Sequence, residues 1–152
     1  MIGVLKKEVT NIDKDFFAIQ NLNKLVNTTT NNCLFCNGVN PRFVLNVQTN
    51  MLQTSFSHTF NGILITDELP LVDDLIHISY AKKKFLYIYH LDWMYLTNLN
   101  YSHLHKAFHN DNIDIIARNT QHARLIEDVF KKPKYIMNEW DYNVLIEIDN
   151  NE

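Results

Sequence analysis

The chain has 152 residues, 46% of them apolar, and a formal net charge of −3. That length fits one domain, since domains typically run to roughly 100–150 residues, and no segment reaches the ~18 apolar residues a membrane helix needs. The acidic balance removes any global attraction for nucleic acid or for an anionic membrane, and the basic runs at 82–84 and 131–134 are short enough to be solvated loops.

Two cysteines, and an opening MIGVLKKEV with too short an apolar stretch for a signal peptide, point to a reducing, cytoplasmic setting. Asparagine is abundant, while glycine and proline number only three each, a bias that resembles proteins of AT-rich genomes, phages included. For a viral protein the setting is the host cytoplasm.

In chain order, DKDFFAIQNLNKLV spaces Phe16, Phe17, Ile19, Leu22, Leu25 and Val26 as a helix, with Asp13 or Asp15 available to cap it. The polar tract at 27–32 reads as a loop, and CLFC (33–36) as a strand that stops at the turn pair Asn37-Gly38. RFVLNVQT, within the ambiguous stretch 41–56, alternates as a strand does. GILIT (62–66) is a β-branched strand, and LPLVDDLIHISY a helix with Pro70 in its first turn. KKFLYIY (83–89) is a strand, NYSHLHKAFHN a helix, and IDIIA (113–117) a strand. TQHARLIEDVF is a helix that Asn119 or Thr120 can cap. PKYIM is a last short strand, followed by YNVLIEI.

Apolar strands alternating with amphipathic helices predict one α/β domain over residues 1–152, a Rossmann-like, mainly parallel sheet with helices on both faces. In such sheets ligands sit outside the carboxyl ends of the strands. The residues at those ends are Asn37 and Gly38, Asp67 and Glu68, then His90, Asp92 and Trp93, then Arg118 and Asn119, and last Asn138, Glu139 and Asp141. His90 and Asp92 are the candidate catalytic pair, a base and its orienting carboxylate. Arg118 and Asn119, at a helix start, can hold an anionic group. The alternative is that strand exits are polar because loops are.

Cys33 and Cys36 form a CxxC, yet on a strand positions three apart face opposite sides, and no second pair exists to complete a zinc site. His105 and His109 share a helix face, but Lys106 stands where the zincin signature needs glutamate. A solvated histidine-rich face accounts for them. No G-x-G-x-x-G, P-loop or nucleophile elbow occurs, so no metal, cofactor or nucleoside triphosphate site is expected.

The runs FNGILITDELP, KKKFLYIYHLDWMYL and NIDIIARNTQHARLIEDVFKKPKYIMNEWDYNVLIEI, over roughly residues 60–148, resemble the first lobe of two-lobed (GT-B type) glycosyltransferases. Phage-encoded glycosyltransferase-like proteins show similar runs. His90, Asp92 and Trp93 match a "vvy..Hd..w" strand, Arg118, Asn119 and His122 a "D.iia.S..ha..i" strand, and Asn138 with Asp141 a "kp.vI.n..D...l" turn. The resemblance makes Arg118, Asn119, Asn138 and Asp141 ligand-binding candidates and implies a sugar or nucleotide-sugar ligand. The opening departs from the family, whose first strand leads into a glycine-rich loop, and the family's nucleotide-sugar site lies mainly in a second lobe. Two expectations follow. One is a non-catalytic binding, structural or assembly protein that reuses the fold, with a protein partner or self-association. The other is a sugar-transfer subunit whose partner supplies the nucleotide-sugar lobe.

Overall fold

The computed structural model describes residues 1–28, 31–91 and 98–151. Seven parallel strands form one sheet, in the order β3-β2-β1-β4-β5-β6-β7. They are β1 (Ile2–Leu5), β2 (Asn32–Phe35), β3 (Asn50–Leu52), β4 (Ile63–Thr66), β5 (Lys83–Ile88), β6 (Asp114–Ala117) and β7 (Tyr135–Ile136). The helices are α1 (Asp13–Lys24), α2 (Val72–His77), α3 (Asn98–Phe108), α4 (Thr120–Val129) and α5 (Asn143–Asn150). This is the α/β, Rossmann-like arrangement that the alternation of strand and helix patterns predicts.

The strands at the centre are continuous apolar runs because both faces of the sheet are covered. Every residue of β1, β2 and β4 is buried. On one face, Ala18, Ile19 and Leu22 of α1 and Leu145 and Ile148 of α5 pack on Val4, Ile65, Tyr87 and Ile116. On the other, Leu75 of α2, Leu104 and Ala107 of α3 and Ile126 of α4 pack on Leu5, Leu64, Leu86 and Ile115. Cys36 belongs to the first layer and Cys33 to the second, so the two thiols diverge as a strand requires. Gly3 keeps the middle of the sheet thin, because a Cβ there would lie 2.8 Å from the Phe60 ring.

Three details differ from the sequence reading. The opening IGVL is the central strand β1, although its four residues give too short a run to show a period. The alternating stretch 42–49 forms no strand, and the strand of that region is β3, a little further on. Neither Asp13 nor Asp15 caps α1: Ile12 takes the N-cap position, while Asp15 Oδ2 accepts hydrogen bonds from the Thr10 amide and hydroxyl, both at 2.7 Å.

Beyond β7 the backbone turns sharply through Glu139 (φ 46°) and Trp140 (φ 58°). Left-handed conformations at residues with a Cβ cost of order 1–3 kcal/mol each. The fold holds both from several sides. The Trp140 indole is fully buried, edge-on to Tyr87 at 4.8 Å between ring centroids. The Glu139 carbonyl accepts from Asn21 Nδ2 of α1 at 2.6 Å, and its carboxylate is gripped from β5 and β6.

Candidate functional site

β1, β2 and β3 run outward in one direction and β4 to β7 in the other, so the order reverses between β1 and β4. Neighbouring crossovers part company at such a point and leave a crevice over the carboxyl ends of the strands. A cleft of about 490 Å³ occupies that position. Lys7 and Thr10 border it after β1, Glu68 after β4, and Tyr89 and His90 after β5. Ile12, Pro70 and Leu104 add apolar wall.

The floor is a buried ionic network. Lys6, the first residue past β1, is fully buried, with Nζ 2.5 Å from Asp15 Oδ1 and 2.7 Å from Asp67 Oδ1. Lys14 Nζ closes the set at 3.1 Å from Asp67 Oδ2. The Trp140 ring lies 5.2 Å from Lys6 Nζ, an added cation–π contact. Burial pulls the Lys6 pKa down, but the Asp67 and Asp15 carboxylates outweigh it and hold the ammonium above its usual value. For Asp67 burial pushes the carboxyl up, and Lys6 with Lys14 brings it below the usual range. Glu68 behaves oppositely: burial dominates and its carboxyl titrates high, despite Lys6 and an amide bond from Lys7 at 3.1 Å.

Rossmann-type sheets hold phosphate on free amides at the first helix start. Here the first turn of α1 carries Asp13 and Asp15 instead, and Asp15 consumes the Thr10 amide. The positive end of this helix therefore already faces carboxylates of its own chain.

A second cluster adjoins the cleft at the exits of β5, β6 and β7. His90 Nε2 lies 3.2 Å from Asp13 Oδ1. Burial raises the Asp13 carboxyl, and the hydrogen bonds from His90 and from the Lys14 amide bring it below its usual value. The Arg118 guanidinium stacks 4.2 Å from the centre of the Tyr89 ring. Glu139 Oε1 accepts from both Nε (3.0 Å) and Nη2 of Arg118, and its Oε2 accepts from the Tyr89 hydroxyl. His122 sits beside this group, its pKa lowered by burial, then by Arg118 and His90.

Of the residues singled out in the sequence, His90 and Glu68 line the cleft, and Asp67 lies in its floor. Arg118 stands next to it in the second cluster. Asn119 is the N-cap of α4, its Oδ1 accepting from the His122 amide at 2.8 Å. Asn138 is exposed and its carbonyl accepts from the Asp141 amide at 2.9 Å. Asp141 lies two residues before α5, with Oδ1 accepting from the Asn143 amide at 3.2 Å and from Asn143 Nδ2 at 2.8 Å. Asp92 and Trp93 lie outside the described residues. Among the described residues, the carboxylate beside His90 is Asp13, 77 positions away in sequence. Lys6, Asp13, Lys14, Asp15 and Tyr89 are the site residues that sequence reasoning passed over.

Among the described residues no group of three His, Cys, Asp or Glu side chains is placed to hold a metal. The His105 and His109 rings stack on each other at 4.0 Å on the exposed side of α3. No helix among the described residues is long and apolar enough to cross a membrane. In comparisons with known proteins, no family model, no curated protein and no solved structure matches the chain.

Proposed function

We propose that this chain is a glycosyltransferase-like single-lobe protein, of the kind phages encode and acting in the cytoplasm. It binds a neutral, polyhydroxylated ligand of the sugar class in the switch-point cleft, as a binding or assembly protein rather than a catalyst. One observation carries the choice of ligand: the charged groups of the cleft floor are already matched to each other. Lys6 and Lys14 are spent on Asp15 and Asp67, and the α1 start faces its own carboxylates. A phosphate entering here finds Lys6 and Lys14 already paired and meets Lys7 in company with the Glu8 and Glu68 carboxylates, whereas sugar hydroxyls find both donors and acceptors beside apolar wall.

The test is thermal unfolding with a panel of neutral mono- and disaccharides, set against nucleoside-diphosphate sugars. A ligand that binds only the folded chain adds about 2.7 kcal/mol of stability at 100 times its Kd. Stabilisation by neutral sugars, lost in His90→Ala, supports the reading. Stabilisation by nucleoside-diphosphate sugars alone refutes it.

The contact between His90 and Asp13 favours a second reading, the acceptor side of a sugar transferase whose partner brings the nucleotide sugar. A histidine oriented by a carboxylate can take the proton of an acceptor hydroxyl. Nucleoside diphosphate released only when partner and acceptor are both present would establish that reading.

A further inference from the structure

We infer that Glu68 selects the ligand of the switch-point cleft, its carboxylate accepting a hydroxyl that a monodeoxy sugar lacks. The inference rests on the reading that the cleft holds a sugar, and it names the residue that tells one sugar from another. Lys14, Asp15 and Asp67, the other charged groups of the lining that are partly or fully buried, are matched to opposite charges, and His90 to Asp13. Lys7 and Glu8 are exposed at the rim, where water serves them. Glu68 differs from all of these. It is half-buried, and among the described residues its carboxylate has one direct partner, the neutral Lys7 amide, which donates to Oε2 at 3.1 Å. Oε1 has no such partner and is not closed off from solvent. Lys6 and Lys14 act on Glu68 only from a distance, Lys6 being shared by Asp15 and Asp67 and Lys14 held by Asp67. Burial therefore prevails, and the carboxyl titrates high.

The fold fixes this carboxylate in place. Glu68 follows β4, which lies beside β1, so it stands where the strand order reverses. The Thr66 hydroxyl, fully buried, accepts from the Glu68 amide at 3.1 Å, and the Glu68 carbonyl accepts from the Leu71 amide at 3.0 Å. With Oε2 tied to Lys7 beyond β1, both the backbone and one carboxylate oxygen are anchored. A ligand that bonds to Glu68 therefore pays little to order it.

A half-buried carboxylate short of a partner takes hydrogen bonds from the donors that enter. Sugar hydroxyls are such donors, and a hydrogen bond to an ionised acceptor is roughly twice as strong as one between neutral groups. An anion meets like charge at the same place. A site built to bond a hydroxyl rejects the analogue that lacks it, because the acceptor is then left desolvated and unpaired. The discrimination that Glu68 supplies is therefore read hydroxyl by hydroxyl.

Titration calorimetry on the full chain with D-glucose, D-galactose, D-mannose, maltose and lactose finds the tightest sugar, and its monodeoxy analogues are then titrated. At least one analogue should bind the unaltered chain ~10-fold or more weakly than the sugar itself, the size of a hydrogen bond to a charged group. In Glu68→Ala the deficit of that analogue should all but disappear, and in Glu68→Gln, which keeps an acceptor without the charge, it should fall between the two. Circular dichroism matching the unaltered chain shows that each variant is folded. Analogues that all bind as the sugar does, or a deficit that persists in Glu68→Ala, overturn the inference and leave the sugar reading standing. If none of the five sugars binds, the sugar reading falls and the inference falls with it.

Discussion

His90 at the exit of β5 and Asp13 in the first turn of α1 meet across 77 residues of sequence, Nε2 to Oδ1 at 3.2 Å. The contact places an oriented imidazole on the wall of the cleft. Asp13 is more than half exposed, so the pair contributes little to stability, about 0.2–1 kcal/mol by analogy with other surface pairs.

That separation of roles gives the first prediction. Asp13→Asn and His90→Ala should each shift Tm by only a degree or two, while reducing the stabilisation that a cleft ligand confers. Asp13→Asn keeps a hydrogen-bonding partner but not the charge, so its ligand should bind more strongly than that of His90→Ala. Scanning calorimetry with and without the best sugar of the panel measures both effects. A large fall in Tm for either variant would show that the pair is structural.

The second prediction concerns the floor. Removing one partner of a buried ion pair typically costs about 3–5 kcal/mol, because the other charge is left without compensation. Lys6→Met takes the buried cation from Asp15, which keeps only its Thr10 hydrogen bonds, and leaves Asp67 only Lys14, so urea unfolding should register a loss towards the lower end of that range. Adding Asp67→Asn to Lys6→Met should recover part of it. Lys14→Ala should cost less than Lys6→Met, since Lys14 is partly solvated and Lys6 still holds Asp67.

The sheet was legible wherever apolar runs were long enough to carry a period. β2, β4, β5, β6 and β7 fall within a residue or two of the predicted segments, and Asn119 caps α4 as the sequence indicates. β1 was not legible, because four residues beside two lysines look the same in a loop as in a central strand. That gap hid the site. Without β1 there is no reversal of strand order, and without the reversal Lys6 is one lysine among many. Asp15 read as a helix cap because acidic residues in a first turn usually serve the helix dipole. Its pairing with Lys6 depends on the crossing of β1 and α1, which no local pattern encodes.

The turn at Glu139 and Trp140 yields a third prediction. Trp140 is fully buried against Tyr87 and Tyr142, so Trp140→Ala should cost roughly 3–5 kcal/mol, as large aromatic deletions in cores do. Glu139→Gly removes the left-handed strain but also the grip on Arg118 and Tyr89. Glu139→Gln keeps the strain, loses the charge and puts an amide donor where one of the two oxygens accepts. Glu139→Gly should therefore be the more stable of the two by about 1 kcal/mol, a typical gain for glycine at positive φ, as read from paired urea titrations.

The last prediction sets Glu68 against Asp67 as pH changes. Burial raises the Glu68 carboxyl above its usual value, so the folded chain holds its proton more tightly than the unfolded chain does. The cost of ionising Glu68 sets in as pH rises past the unfolded value and is complete above the folded one. Glu68→Gln, which preserves an acceptor for the Lys7 amide, should raise Tm at pH 7. The gain should shrink as pH falls and vanish near the unfolded value, about 4.3. Asp67 has the opposite sign. Its carboxyl is held below 3.8 by Lys6 and Lys14 against the effect of burial, so its contribution is complete above the unfolded value and is lost as pH falls through the folded one. The parent chain should therefore gain stability from Glu68 as pH falls from 7 towards about 4.3, and lose it below about pH 4 as Asp67 titrates. Asp67→Asn should be less stable at neutrality and show a shallower acid limb. Tm measured from pH 7 to pH 3 on the parent and both variants decides the matter. A Glu68→Gln variant that melts lower than the parent at pH 7 would mean that the charge on Glu68 is held by a partner and stabilises the cleft.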